Sequence, residues 1–148
     1  MSLMIPAKYG NLLADILVPI DTKQYNWYVA TSECIVEHIS LNEDLLPELQ
    51  LKGRELDERI KRRPYYINFI DLKAFPVGDE VHDIETYEDF LESKSEVVLL
   101  IADTAYTTIY CKDKDTIKKV FENTRNFGFE NVEYITDEND SRTRLAVY

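Results

Sequence analysis

The sequence predicts a single α+β domain, mainly antiparallel sheet with helices, and three observations predict it. Glu96-Val-Val-Leu-Leu-Ile-Ala-Asp103 is apolar on both faces of any strand it forms, so it belongs inside a sheet covered on each side. Tyr106-Thr-Thr-Ile-Tyr-Cys-Lys112 follows after only Thr104-Ala105, which reads as a tight hairpin without Asn-Gly or Asp-Gly at its turn. Stripes of apolar residues at helical spacing alternate with such strands, and 148 residues suffice for one real core but not for two ordinary ones. The domain is read as 4–148. Met1-Ser2-Leu3 ahead of Met4 is taken as a start added for expression and left out.

In chain order, Tyr9, Leu12, Leu13, Ile16 and Leu17 recur at three and four residues from Pro6 onward, a short helix that Pro19 stops. Tyr25 to Thr31 alternates around Trp27, and Glu33 to Ile39 alternates again, which predicts a hairpin turning at Thr31-Ser32. Ser40 to Leu51 carries a leucine stripe interrupted by Pro47 and reads as irregular. Arg54 to Arg63 is a helix with Leu56 and Ile60 on one face, acids early and Lys61-Arg62-Arg63 late, the order that the helix dipole favours, and Pro64 ends it. These pieces form an N-terminal helix-hairpin-helix extension.

Tyr65 to Phe75 is a long strand whose alternation slips partway, implying a bulge or cover on both faces. Pro76 to Asp83 is a loop with Gly78 at its turn. Thr86, with Asp89 three residues on, caps a short helix whose buried side is Tyr87, Phe90 and Leu91. After the central hairpin, Asp113 or Asp115 caps a helix carrying Ile117, Val120, Phe121, Thr124 and Phe127 on one stripe, and Gly128 ends it. Asn131 to Thr136 is a strand, Asp137 to Ser141 a polar turn, and Thr143, Leu145 and Val147 one face of an extra C-terminal strand. From Tyr65 the order is strand, helix, strand, strand, helix, strand, which matches a ferredoxin-like βαββαβ core over 65–136.

Composition narrows function. With 28 Asp and Glu against 17 Lys and Arg, the formal charge is −11. Such a surface repels nucleic-acid phosphate and anionic membranes, and leaves basic proteins, cationic ligands and divalent metals as partners. No apolar run approaches the ~20 residues that span a bilayer, and no basic leader precedes one, so a cytoplasmic location is expected. Cys34 and Cys111 lie in apolar strand patterns and read as buried free thiols.

The charge is lopsided. Between Pro76 and Thr104 nine acids face one base, Lys94. Asp79, Glu80, Asp83, Glu85, Glu88 and Glu92 are therefore nominated as an acidic face that docks a basic protein partner. The plainer account is a solvated loop and an outer helix face. Asp79, Glu80, Asp83 and Glu85 with His82 offer hard ligands, but calcium-loop spacing is missing, so neither metal nor cofactor is assigned. Lys52, Arg54, Arg59, Lys61, Arg62 and Arg63 form an opposite pole interleaved with Glu55, Asp57 and Glu58, a pattern suited to helix pairing. The two poles can also pair between copies, which would give a homo-oligomer.

No catalytic residue is assigned. Cys34 and His38, four apart on a strand, stand about 13 Å apart, too far for proton transfer. Gly-rich phosphate loops, CxxC and HExxH are missing from the chain. Ten Tyr and six Phe either bridge core and surface or line a concave face that takes an aromatic or peptide ligand. The competing class is accordingly a small-molecule or enzyme site of aromatic and acidic residues, with Asp71, Tyr66 or His82 as participants.

Ile5-Pro6, Tyr9-Gly10-Asn11-Leu12, Ile16-Leu17, Pro19-Ile20 and Trp27-Tyr28 resemble the opening of a family of small uncharacterised bacterial proteins from spore-forming Firmicutes, a domain of unknown function. The resemblance covers about the first thirty residues. It implies a bacterial cytoplasmic protein and carries no activity or catalytic residue to transfer. Family members have more residues ahead of the Ile-Pro pair, a first strand that this chain would lack.

Overall fold

Residues 1–37, 44–135 and 144–147 are described here by a computed structural model. The strands are β1 (Ser2–Met4), β2 (Tyr25–Val36), β3 (Gln50–Lys52), β4 (Tyr65–Pro76), β5 (Val97–Ala102), β6 (Tyr106–Cys111) and β7 (Glu130–Glu133). The helices are α1 (Leu12–Leu17), α2 (Gly53–Arg62), α3 (Tyr87–Glu92) and α4 (Lys114–Asn126). One sheet contains all seven strands in the order β3-β2-β4-β5-β6-β1-β7, and every pairing is antiparallel.

The apolar run after Ser95 is the centre of this sheet. Val97, Leu99 and Ile101 of β5 face a core with Leu13 and Ile16 of α1, Leu56 and Ile60 of α2, and Val120 of α4. Val98 and Leu100 face the other way, into a smaller cluster with Phe75, Ile84, Phe90 and Leu145. Five consecutive buried aliphatic side chains, at ~1.5–3 kcal/mol each, make β5 the costliest strand to displace. The hairpin after it closes as the sequence implies: Asp103 and Thr104 both take positive φ, 51° and 65°, the handedness that matches strand twist.

Several ends are built as their residues suggest. Asp113 caps α4 by accepting from the Asp115 and Thr116 amides, and Gly128, at φ 81°, follows its end. Thr86 accepts from the Asp89 amide at the start of α3. Asn11 donates to the Ile60 and Arg63 carbonyls, capping the end of α2 from another element. The Tyr65 hydroxyl accepts from Leu13 N–H and donates to Ile60 O, so one phenol joins α1 to α2.

Other expectations are corrected. Met1, Leu3 and Ile5 are buried at period two, and β1 pairs β6 on one side and β7 on the other, so the opening residues belong to the fold. The first helix starts at Leu12, leaving Tyr9 exposed. The hairpin at Thr31-Ser32 does not exist, because Tyr25–Val36 is one strand paired along β4 throughout. Ala30 is skipped in that register, as Asn68 is on β4, so the phase change is a bulge and not a turn. A ferredoxin-like core over 65–136 would run β4 and β5 parallel with another strand between them, whereas β4 and β5 are direct neighbours and antiparallel. The extra C-terminal strand reduces, in 144–147, to an isolated bridge between Arg144 and Thr86. Thr143, the polar turn 137–141 and His38 lie outside the described residues.

Where β2 starts, Gly53 opens α2 beneath the 3₁₀ turn Thr22–Gln24. A Cβ there would stand 2.0 Å from Thr22 O and 2.5 Å from Tyr25 O. Backbone cannot yield as a side-chain tip does, so Gly53→Ala should destabilise by about 3 kcal/mol, the upper end of overpacking costs. Urea unfolding followed at Trp27 measures it. A loss under 0.5 kcal/mol would contradict the close approach.

Candidate functional site

The acidic segment is the smaller roof of the sheet. Gly78, at φ 98°, turns the chain after β4, and Asp79 N–H closes that turn on Pro76 O. Ile84 and Phe90 are buried in the cluster beneath, which pins the segment at two points and leaves the residues between them facing water. Glu80, Asp83, Glu85, Glu88 and Glu92 are exposed and Asp79 is half-buried. Asp83, Glu85 and Glu92, with His82, Asp89 and Ser93, ring an open depression of about 420 Å³. Asp79, Glu80 and Glu88 do not line it.

Two apolar side chains share that surface. Tyr87 and Leu91 of α3, expected on its buried side, are 42% and 54% exposed. The α3 helix is a single turn and a half, so only Phe90 reaches the core. Tyr87 keeps ring contacts with Phe90 and Tyr110, at 6.3 and 5.7 Å between centroids, which hold it in place while its edge stays in water.

Beneath the acids lies a feature that sequence reasoning passed over. Lys73 of β4 is fully buried, and its ammonium donates to Asp71 Oδ1 at 2.5 Å, stands 3.1 Å from Asp83 Oδ1, and donates to Leu145 O at 2.9 Å. Asp83 is thus partly turned inward as a counter-ion. Burial raises the Asp71 carboxyl above its ordinary range, and Lys73 beside it pulls the other way. The signal was present: a lysine and an aspartate two apart share a strand face, within an otherwise apolar run. Neither was read as one unit because a lysine mid-strand is normally solvated.

The remaining nominees are placed apart. Asp71 is bound to Lys73, Tyr66 packs on Tyr9 at 5.8 Å, and His82 lies on Phe75 at 5.1 Å with Nδ1 2.8 Å from Asp83 O. Cys111 packs against the larger cluster and His82 against the smaller one, on opposite faces of the sheet. Both cysteines are free, and burial pushes the Cys34 thiol far up and that of Cys111 to about 12, so neither is a ready nucleophile. On α2, Lys61 meets Asp57 at 2.7 Å, Arg62 meets Glu58 at 3.9 Å, and Arg59 binds Glu48 through both guanidinium nitrogens. These three bases of the pole thus serve their own helix and the loop beside it. Among the described residues no helix is long and apolar enough to cross a membrane.

The chain has relatives along nearly its whole length. A family profile described as "Protein of unknown function (DUF2691)" matches residues 1–146. "Uncharacterized protein YncE" of Bacillus subtilis (strain 168) is 42% identical over 149 residues, covering 99% of this chain and 97% of that protein. The likeness therefore extends far beyond the first thirty residues, and it includes the opening strand. No solved structure matches.

Lys73 gives the site a pH signature. Lys73→Met would strand Asp71 and Leu145 O without their cation, at a cost of about 3–5 kcal/mol at pH 7. In the variant the folded-state carboxyl of Asp71 rises further above its unfolded value, so the fold binds the extra proton and regains stability as pH falls. The melting-point gap between wild type and Lys73→Met should accordingly narrow from pH 7 toward pH 4. A gap that widens on acidification would contradict this charge balance.

Proposed function

We propose, for a chain that belongs to the DUF2691 family and takes no assigned activity from it, that the protein is a bacterial cytoplasmic interaction module that docks a basic protein through the acidic roof. The observation that carries this reading is the composition of one exposed stretch: Glu85, Glu88 and Glu92 alternate in sequence with Tyr87 and Leu91, and all five side chains are exposed, the mix of charge and apolar surface that suits a contact face. The acids steer a cationic partner and exclude anionic ones, while the tyrosine and leucine supply the desolvated contact. Asp79 and Glu80 extend the same field along the turn, and Asp83 belongs partly to the fold through Lys73.

The competing small-molecule reading has less to rest on. Asp71, Tyr66 and His82 are each engaged elsewhere, and the depression beside Glu85 and Glu92 is open and lined by polar groups, unlike the apolar pockets that hold small ligands.

Pull-down from cell lysate at low and raised salt tests the docking face. The triple charge reversal Glu85→Lys, Glu88→Lys, Glu92→Lys changes only exposed side chains, so the far-UV spectrum should be unchanged. Exposed pairs contribute ~0.2–1 kcal/mol each, so partner retention should fall about tenfold or more, and raised salt should weaken the wild-type complex in the same direction. Retention indifferent to both salt and reversal would sink the proposal.

A further inference from the structure

The residues 144–147 lie across the second face of the sheet as an extended segment, held by main-chain groups and by Leu145, with Val147 packed half-buried against the same cluster. Leu145 N–H donates to Glu85 O at 2.8 Å, and Arg144 bridges Thr86 in antiparallel sense. Leu145 O accepts from the Lys73 ammonium, and the backbone of Val147 bonds to the Asp71 carboxylate. The Leu145 side chain is fully buried in the cluster of Phe75, Ile84, Phe90, Val98 and Leu100. Unlike every strand of the sheet, the segment has no ladder along its length.

This is how a peptide is held: main-chain groups are read by fixed polar partners, and one apolar side chain enters a pocket. We infer that the surface formed by Glu85, Thr86, Lys73 and Asp71 is a binding seat for an extended basic segment of a partner protein, arginine followed by leucine, and that the chain's own Arg144-Leu145 is its resident occupant.

Two physical points support exchange of the occupant. When the segment leaves, Lys73 keeps Asp71 and Asp83 as counter-ions, so the vacated seat holds no uncompensated buried charge. These three groups sum to one negative charge, with Glu85 and the other roof acids beyond, which selects a cationic entrant over an anionic one. The inference rests on the docking reading for the partner's charge; the seat itself rests on the contacts of residues 144–147.

The test uses the full chain and a fluorescently labelled peptide of the sequence at 141–148, Ser-Arg-Thr-Arg-Leu-Ala-Val-Tyr. Leu145→Asp in the protein expels the resident leucine, so anisotropy titration should show the peptide binding this variant at least tenfold more tightly than wild type. A peptide with aspartate in place of the leucine should lose that gain. A cooperatively melting Leu145→Asp chain that binds the peptide no better than wild type overturns the seat. Should that variant not fold, amide hydrogen exchange on the wild type decides: exchange at Leu145 well ahead of Leu99 supports a segment that lifts, and exchange only with global unfolding overturns it. A mass that doubles with concentration in the Leu145→Asp chain or wild type, with no peptide binding, would assign the seat to a second copy and overturn the partner. None of these readouts uses the lysate complex, so a failed seat and a failed docking face are told apart.

Discussion

The structure depends on one constraint: β5 is buried on both faces, so the sheet needs two roofs. The larger roof is ordinary, with α1, α2 and α4 laying leucines and isoleucines on Val97, Leu99 and Ile101. The other is assembled from short pieces, namely the segment around Ile84, the single helix α3 and residues 144–147. Pieces this short cannot bury much apolar surface each, which explains why a buried ammonium sits among them. Lys73 reaches three otherwise separate pieces of chain, through Asp71 on β4, Asp83 in the loop and Leu145 O in the last segment. Removing a charged partner of such a group is costly, so β4 and the loop are coupled through Asp71 and Asp83, while Leu145 O adds a neutral acceptor from the last segment.

That division of labour shapes the exposed surface. In a segment with two inward anchors, Ile84 and Phe90, the residues between and around them must face water, and here they are mostly acids. Tyr87 and Leu91 are left exposed because a helix of six residues has room for one core contact. The proposed docking surface is thus what remains after the roof has met its packing needs, and its shape is set by Lys73 below as much as by the acids above. On the opposite face of the sheet Arg59, Lys61 and Arg62 of α2 are paired with neighbouring carboxylates, so the basic pole of the sequence is partly neutralised within the fold.

Much of this was legible in local pattern. Helix caps at Thr86 and Asp113, the stop at Gly128, the long strand from Tyr65 and the central position of β5 were all readable because their signals are local and chemical. What was lost was parity and pairing. Trp27 and Val29 are buried at odd positions and Cys34 and Val36 at even ones; the change of parity marks a bulge at Ala30, yet it looks like a turn unless the partner strand is known. Met1, Leu3 and Ile5 carry the alternation of a strand, but three residues are too few to outweigh the look of an added start. The antiparallel placement of β4 and β5 is set by tertiary pairing that element order does not encode. At the candidate site, the acids were visible as a charge run, while the Lys73 network was not, since Asp71, Asp83 and Leu145 are brought to it from three parts of the chain.

The distribution of charge adds a last step. Concentrating negative charge on one roof raises its electrostatic free energy through self-repulsion, and this roof is the part of the sheet with the fewest inward anchors. Lys73 offsets part of that repulsion from beneath, where it is desolvated and screened little by salt, and among the described residues the carboxylates it meets are Asp71 and Asp83. Among the described residues Glu85, Glu88 and Glu92 take no part in an ion pair of this network, so their mutual repulsion is left to solvent ions. On α2, by contrast, acids and bases pair at four-residue spacing. Most of the chain's excess negative charge therefore lies on the thinner of the two roofs.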